Sequence, residues 1–198
     1  MLDAQPPQGQ GGDQKVKSLI LTGPRGLKVD ARSRSKRCSA EQARDFNCPK
    51  ESKIGSGEAA GHASGGVVPG GRQDFTAKIE TFLAPRVRKG DIAGVVLQIN
   101  EPQSGNKGSV TGRIVPVRGS KKFGVKLRFD DFPEPPEYPG VTIAVDRITL
   151  LTGARRGRRS LLTNPAKCGS GHSWPFRVEA VYADHTDRAD VPAACRPR

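Results

Sequence analysis

The chain has 198 residues, a length that suits one domain or one domain with a loose start. Its hydrophobic content of 34% suffices for a core, but no run of about 18 apolar residues occurs, which excludes a transmembrane helix. A formal net charge of +13 makes polyanions natural partners through counterion release and steering, although the cations are spread along the chain with few aromatics between them.

With 24 glycines and 16 prolines, the chain reads as short extended segments joined by many turns, and no window holds apolar residues at helical spacing over three turns. Residues 1–14 are polar and rich in Gly, Pro and Gln, and are expected to be disordered. Residues 15–22 (KVKSLILT) form the first expected strand; Gly23-Pro24-Arg25-Gly26 breaks it, and Leu27 and Val29 resume an extended segment. Ser39-Ala40-Glu41-Gln42 is a capping box, with Ser39 as N-cap and Gln42 at the third helical position, opening about two helical turns that end near Phe46. Residues 48–57 continue as turn and then strand, and residues 61–72 read as a flexible loop. Its glycines lack the spacing of a phosphate-binding loop, and no helix follows them.

Phe75, Ala77, Ile79, Thr81 and Leu83 share one side of a strand over 74–83, and residues 92–99 are apolar enough to be covered on both faces. A turn over 102–107 leads to a strand over 109–117. Phe123, Val125, Leu127 and Phe129 then alternate with Lys122, Gly124, Lys126 and Arg128, an apolar side facing in and a cationic side facing water. The prolines of residues 132–139 suit a crossing between sheets rather than a central strand. Val141, Ile143 and Val145 point one way and Ile148 and Leu150 the other, so a bulge is expected near Asp146-Arg147. Arg155, Arg156, Arg158 and Arg159 lie between two apolar strand ends and read as the exposed tip of a hairpin. Four guanidinium forks there could grip phosphate or carboxylate; a solvated loop is the plainer reading.

Residues 168–195 read as a second hairpin with a thiol at each end. Trp174, Phe176, Val178, Ala180 and Tyr182 fall on every second position, as a strand with one buried face requires, and Asp184, His185 and Thr186 supply the turn. The four cysteines, Cys38, Cys48, Cys168 and Cys195, allow three pairings. Local pairing needs no rearrangement of distant segments, so Cys38–Cys48 and Cys168–Cys195 are favoured, contributing about 2.8 and 3.5 kcal/mol on the loop-entropy model. Zinc is the competing use, but no CxxC occurs and Cys168 with His172 is half a site.

Disulfides belong to oxidising compartments. The opening MLDAQPPQGQGGDQ has no basic stretch followed by an apolar one, so either the chain is cytoplasmic with free thiols or its true start lies upstream; the second is preferred, as the opening reads as a linker after a cleavage site.

The order Gly23-Pro24-Arg25-Gly26-Leu27, Cys38, Cys48-Pro49 and Ser52-Lys53-Ile54-Gly55-Ser56-Gly57, then Asn164-Pro165-Ala166-Lys167-Cys168, Trp174, Phe176, Tyr182-Ala183-Asp184 and Cys195, resembles a family of uncharacterised secreted actinobacterial proteins. Their patterns are PxGL…C…CPxxSxIGxG and NPxxC…W.F…YADG…C. The resemblance covers most of residues 15–195 and implies an exported, all-β, disulfide-bonded protein without assigned activity. The chain departs from the pattern in its missing leader and in His185, where a glycine would make the easier turn.

No GxSxG or HExxH motif occurs, and an oxidised cysteine cannot act as a nucleophile. His62, His172 and His185 fall in or beside expected loops, and Asp130, Asp131 and Glu134 lack the spacing of a calcium loop. The sequence therefore reads as an all-β protein: an antiparallel β-sandwich with one short helix in the Cys38–Cys48 loop, a disordered segment 1–14 and a composite domain 15–198 that would divide, if at all, near residue 90. The expected role is non-catalytic, binding or structural, secreted or in the cell envelope, without a cofactor or a metal; the sequence identifies no ligand, and an anionic envelope polymer is one partner the charge would suit. The alternative is a cytoplasmic protein binding nucleic acid through charge, and the two differ in whether the thiols are free.

Overall fold

Alternating apolar and polar side chains become strands through most of the molecule. The structure, a computed structural model, describes residues 2–4, 16–130, 140–153, 155–156 and 159–195. In chain order the strands are β1 (Leu2–Ala4), β2 (Ser18–Pro24), β3 (Lys28–Val29), β4 (Lys53–Ser64), β5 (Arg72–Ala84), β6 (Ala93–Asn100), β7 (Lys107–Pro116), β8 (Phe123–Asp130), β9 (Thr142–Thr152), β10 (Arg155–Arg156), β11 (Arg159–Ser160), β12 (Leu162–Thr163), β13 (Ser173–Val181) and β14 (Thr186–Ala194). Ten of them form one antiparallel sheet in the order β1-β9-β4-β5-β6-β7-β8-β2-β13-β14, while β10 pairs with β11 and β12 with β3.

The sheet curls, so that inward side chains from distant strands meet. Ile54 of β4, Ile79 and Leu83 of β5, Val95 and Leu97 of β6, Ile114 of β7 and Phe129 of β8 share one core, which Leu161 completes. Gly112 of β7 stands opposite Phe129 in β8, whose ring occupies the space a β-carbon would need, so a larger residue at 112 would displace that ring.

The expectation of double cover over 92–99 is met in β6: Val95 and Leu97 point into the core, whereas Val96 points outward and is only 1% exposed. The cover is α1 (Ala40–Arg44). Ser39 and Gln42 make both hydrogen bonds of the capping box. The helix ends sooner than two turns because Phe46 takes a left-handed φ of 54°. Cys38 and Ala43 pack on Phe82, Ala84 and Val96, and buried Gln98 donates to the Ala43 carbonyl at 3.1 Å, latching the helix to the sheet. The Cys38–Cys48 disulfide, with Cα atoms 4.9 Å apart, encloses this helix.

The expected bulge is present in β9: Ala60 faces Arg147 and Gly61 faces Val145, leaving Asp146 as the extra residue. The flexible loop expected over 61–72 is shorter than read. Residues 61–64 belong to β4, paired on one side with β5 and on the other with β9, because two neighbouring strands satisfy a backbone that glycine and alanine alone would leave loose. Leu2–Ala4, within the segment expected to be disordered, pair with Ile148–Leu150, placing Leu2 and Ala4 opposite apolar partners. The rest of residues 1–14 and the proline-rich stretch 132–139 lie outside the described residues. Among the described residues no helix is long and apolar enough to cross a membrane.

The Cys168–Cys195 hairpin forms as expected, β13 pairing with β14 from Ser173–Ala194 to Val181–Thr186, and the bridge closes it with Cα atoms 5.7 Å apart. It lies at the rim of the sheet, however, with β14 as an edge strand. Of the alternating apolar set only Ala180 is buried; Trp174, Phe176, Val178 and Tyr182 are half-buried.

Candidate functional site

Antiparallel hairpins return the chain to the same end of the sheet every second strand, and this arrangement sorts the charge. The turns after β5 and β7 and the segment after β2 lie at one end, as the pairings Ala84–Gly94, Pro116–Val125 and Pro24–Phe123 require. They carry Arg86, Arg88 and Lys89; Arg118, Lys121 and Lys122; and Arg25, Lys28, Arg32, Arg34, Lys36 and Arg37. At the opposite end, the turns over 65–71, 101–106 and 182–185 contain no lysine or arginine. One end of the sheet thus carries basic turns where the turns at the other end carry none, although Lys17, Arg72 and Lys107 flank that other end.

The arginine hairpin singled out in the sequence belongs to the basic pole. Arg155 pairs with Ser160 and Arg156 with Arg159 across β10 and β11; Arg158 lies outside the described residues. The chain leaving the hairpin is anchored at Leu161, 1% exposed, whose carbonyl accepts from the Asp30 amide at 2.9 Å. Leu162 and Thr163 then pair with Val29 and Lys28, so β11 lies against the turn Ala31–Ser33.

Between that turn and the loop after β5 is a cleft of about 450 Å³, with Val29 and Ile92 among its apolar walls; among the described residues its cations are Arg32, Arg37 and Arg86 and its one carboxylate is Asp30. Asp30 is turned to local work, its Oδ1 accepting from the Arg32 amide at 2.9 Å. Arg37 holds the first wall together: its guanidinium donates to the carbonyls of Ala31 at 2.6 Å, Lys36 at 2.8 Å and Arg34 at 2.9 Å. The Cys38 amide donates to the Leu83 carbonyl, fixing this wall to β5.

The second wall is held by Asp91, whose side chain is 1% exposed. It accepts from Arg113 Nη2 at 2.7 Å and Nε at 3.1 Å, a bidentate fork, and from the Arg88 amide at 2.8 Å. Arg86 Nε donates to the Ile92 carbonyl at 3.4 Å.

The cleft differs in kind from the charged outer face of β8, β2, β13 and β14. There the charges pair with one another: Arg177 and Lys122 with Asp190, Arg188 with Glu179, and Arg128 with Asp130, which also accepts from Ser18 Oγ. Arg177 also stacks over the Phe123 ring at 4.9 Å. In the cleft, Arg37 is half-buried with no carboxylate partner among the described residues, and burial pushes its guanidinium below its usual value while leaving it a cation. Beside it, Arg34 Nε is buried with no hydrogen-bond partner among the described residues. A guanidinium withdrawn from water and left without a counter-charge is costly, and an incoming oxyanion would relieve that cost.

Two of the three histidines are engaged elsewhere: His62 Nδ1 meets Asp146 at 2.9 Å, and His185 stacks on Tyr182 with ring centres 4.4 Å apart and meets Asp184 at 2.8 Å; His172 ends the short turn Ser170–His172 before β13. Of the acidic trio considered for calcium, only Asp130 is among the described residues, and its partners are Ser18 and Arg128. Arg32, Arg37 and Arg86 were not candidates in the sequence, although the runs RSRSKR and RVRK were a visible signal.

The same pairs set the response to acid. Arg113 holds the Asp91 carboxyl below the usual carboxylate range, and Arg177, then Lys122, hold Asp190 lower still. A carboxylate whose folded value is depressed stabilises the fold above its unfolded value near 3.9, and that contribution is lost as pH falls through the folded value. The melting temperature should therefore be level from pH 8 to 5 and fall below about pH 4. A rise in melting temperature on acidification would contradict these pairings. No family model matches the chain, and no curated protein or solved structure matches it either.

Proposed function

We propose that the chain is an exported or envelope-associated β-module with a non-catalytic role, binding or structural, whose curled sheet closes face to face as a β-sandwich. The observation that carries this reading is the state of the four cysteines, all bonded in two sequence-local pairs, a use of thiols that suits an oxidising compartment. Carboxylates that chemistry would need are held in arginine pairs at Asp91, Glu179 and Asp190, which supports a binding rather than a catalytic role. The resemblance to secreted actinobacterial proteins agrees with this placement. The test is a thiol count on protein recovered from culture medium and envelope fractions, alkylated without reductant and read by mass spectrometry. No labelled cysteine is expected; recovery in the cytoplasm with four labelled cysteines would overturn the reading.

The basic pole favours a second, compatible reading: the module binds a polyanion, either an anionic polymer of the envelope or nucleic acid. A net charge of +13 supplies long-range attraction, and the topology places the basic turns at one end of the sheet.

A further inference from the structure

We propose that the cleft between residues 29–37 and 84–93 is the seat of polyanion binding, and that its occupant is a single flexible chain bearing phosphate or carboxylate groups rather than a nucleic-acid duplex. The inference rests on the polyanion-binding reading above and assigns that reading a place and a ligand class.

The chemistry of the walls selects oxyanions. Arg32 and Arg86 stand exposed at the cleft, one on each wall, and neither has a carboxylate partner among the described residues. Arg37 spends its Nη1 protons and one Nη2 proton on carbonyls, which leaves Nε and one Nη2 proton for a ligand. Guanidinium forks suit phosphate and carboxylate oxygens, binding them through two parallel hydrogen bonds.

The size selects the form of the polymer. A volume of about 450 Å³ equals roughly fifteen waters at about 30 Å³ each, room for one or two repeat units of an extended chain. A duplex whose major groove alone is about 12 Å wide could only lie across the mouth. Duplex readers also insert a helix or ribbon into a groove, and here the wall is the three-residue turn Ala31–Ser33. Among the described residues the cleft includes no aromatic ring on which an unstacked base could rest, so the recognition on offer is of charge along a chain, not of bases. Arg88 and Lys89, in the same loop as Arg86, would take the following anionic groups of a longer polymer.

The experiment titrates the full chain with linear polyphosphate, polygalacturonate and a 20-base-pair DNA duplex across a salt series. It compares Arg32→Ala/Arg86→Ala with Lys17→Ala/Lys78→Ala, an equal charge loss at exposed lysines outside the cleft. The cleft variant should bind the flexible polymer at least tenfold more weakly, with a salt slope smaller by about 1.4, since each contact contributes about 0.7. The control should stay within about twofold of the parent, and both variants should keep its melting temperature. Tighter binding of polyphosphate identifies the phosphate class and tighter binding of polygalacturonate the carboxylate class; either supports the proposal. Equal weakening of both variants, or a duplex bound more tightly than either flexible polymer, overturns the cleft assignment while leaving polyanion binding in place. A parent protein that binds none of the three at low salt ends the polyanion reading itself.

Discussion

Reduction of both disulfides should remove about 6 kcal/mol of stability and lower the urea midpoint steeply. The two closed loops contribute about 2.8 and 3.5 kcal/mol in the loop-entropy account, together about 6 kcal/mol, against a total stability for a domain of roughly 5–15 kcal/mol. The two bridges hold different things. Cys38 is fully buried, and its bridge to Cys48 keeps α1 seated on Phe82, Ala84 and Val96, so a Cys38→Ser/Cys48→Ser variant should also expose the outer face of β5 and β6. Cys168–Cys195 closes a hairpin at the sheet's rim whose aromatic residues are only half-buried. A Cys168→Ser/Cys195→Ser variant should therefore lose amide protection first in β14, whose only neighbour among the described strands is β13. Urea denaturation followed by circular dichroism, with and without reductant, reads the total, and hydrogen exchange reads the local loss. An unchanged urea midpoint after complete reduction would contradict the assignment of stability to these bridges.

Local chemistry was legible wherever a few adjacent residues decide the outcome. The alternation from Phe123 to Phe129, the Ser39–Gln42 capping box and the change of phase at Asp146 each depend on neighbours within a turn or a pleat, and each is present. Pairing partners were not legible, because they join segments far apart in the chain. β2 lies between β8 and β13, so Leu21 faces Leu127 on one side and Val178 on the other, a choice no local pattern encodes. Periodicity likewise gave the face of the Trp174 strand but not its depth, which depends on how near the sheet's edge it falls. The cleft was hidden for the same reason. The basic runs that hold Arg32, Arg86 and Arg159 lie more than fifty residues apart in the chain, and only the return of successive hairpins to one end brings them together.

Asp91→Ala tests the wall that makes the cleft a cleft. Removing this carboxylate strands Arg113, whose side chain is 22% exposed, and releases the Arg88 amide in the same step. Breaking a buried pair by deleting one partner typically costs about 3–5 kcal/mol; with Arg113 partly reached by water, the low end, about 3 kcal/mol, is expected. Urea denaturation should show this loss. Polymer affinity, measured where the variant is still folded, should fall as well, because Arg86 shares the freed loop. The pair need not itself be a large net source of stability. Replacing both partners, Asp91→Leu with Arg113→Met, removes the stranded charge and should recover much of the lost stability, while the loop stays loose without its Arg88 anchor and polymer affinity remains low. Stability and binding would then separate in one protein, as the structure requires if Asp91 acts on the ligand only by positioning Arg86. Recovery of both together would mean that Asp91 matters to binding only through the fold's overall stability, and an Asp91→Ala loss below about 0.5 kcal/mol, the scale of an ordinary surface change, would mean that the carboxylate is not buried against Arg113 at all.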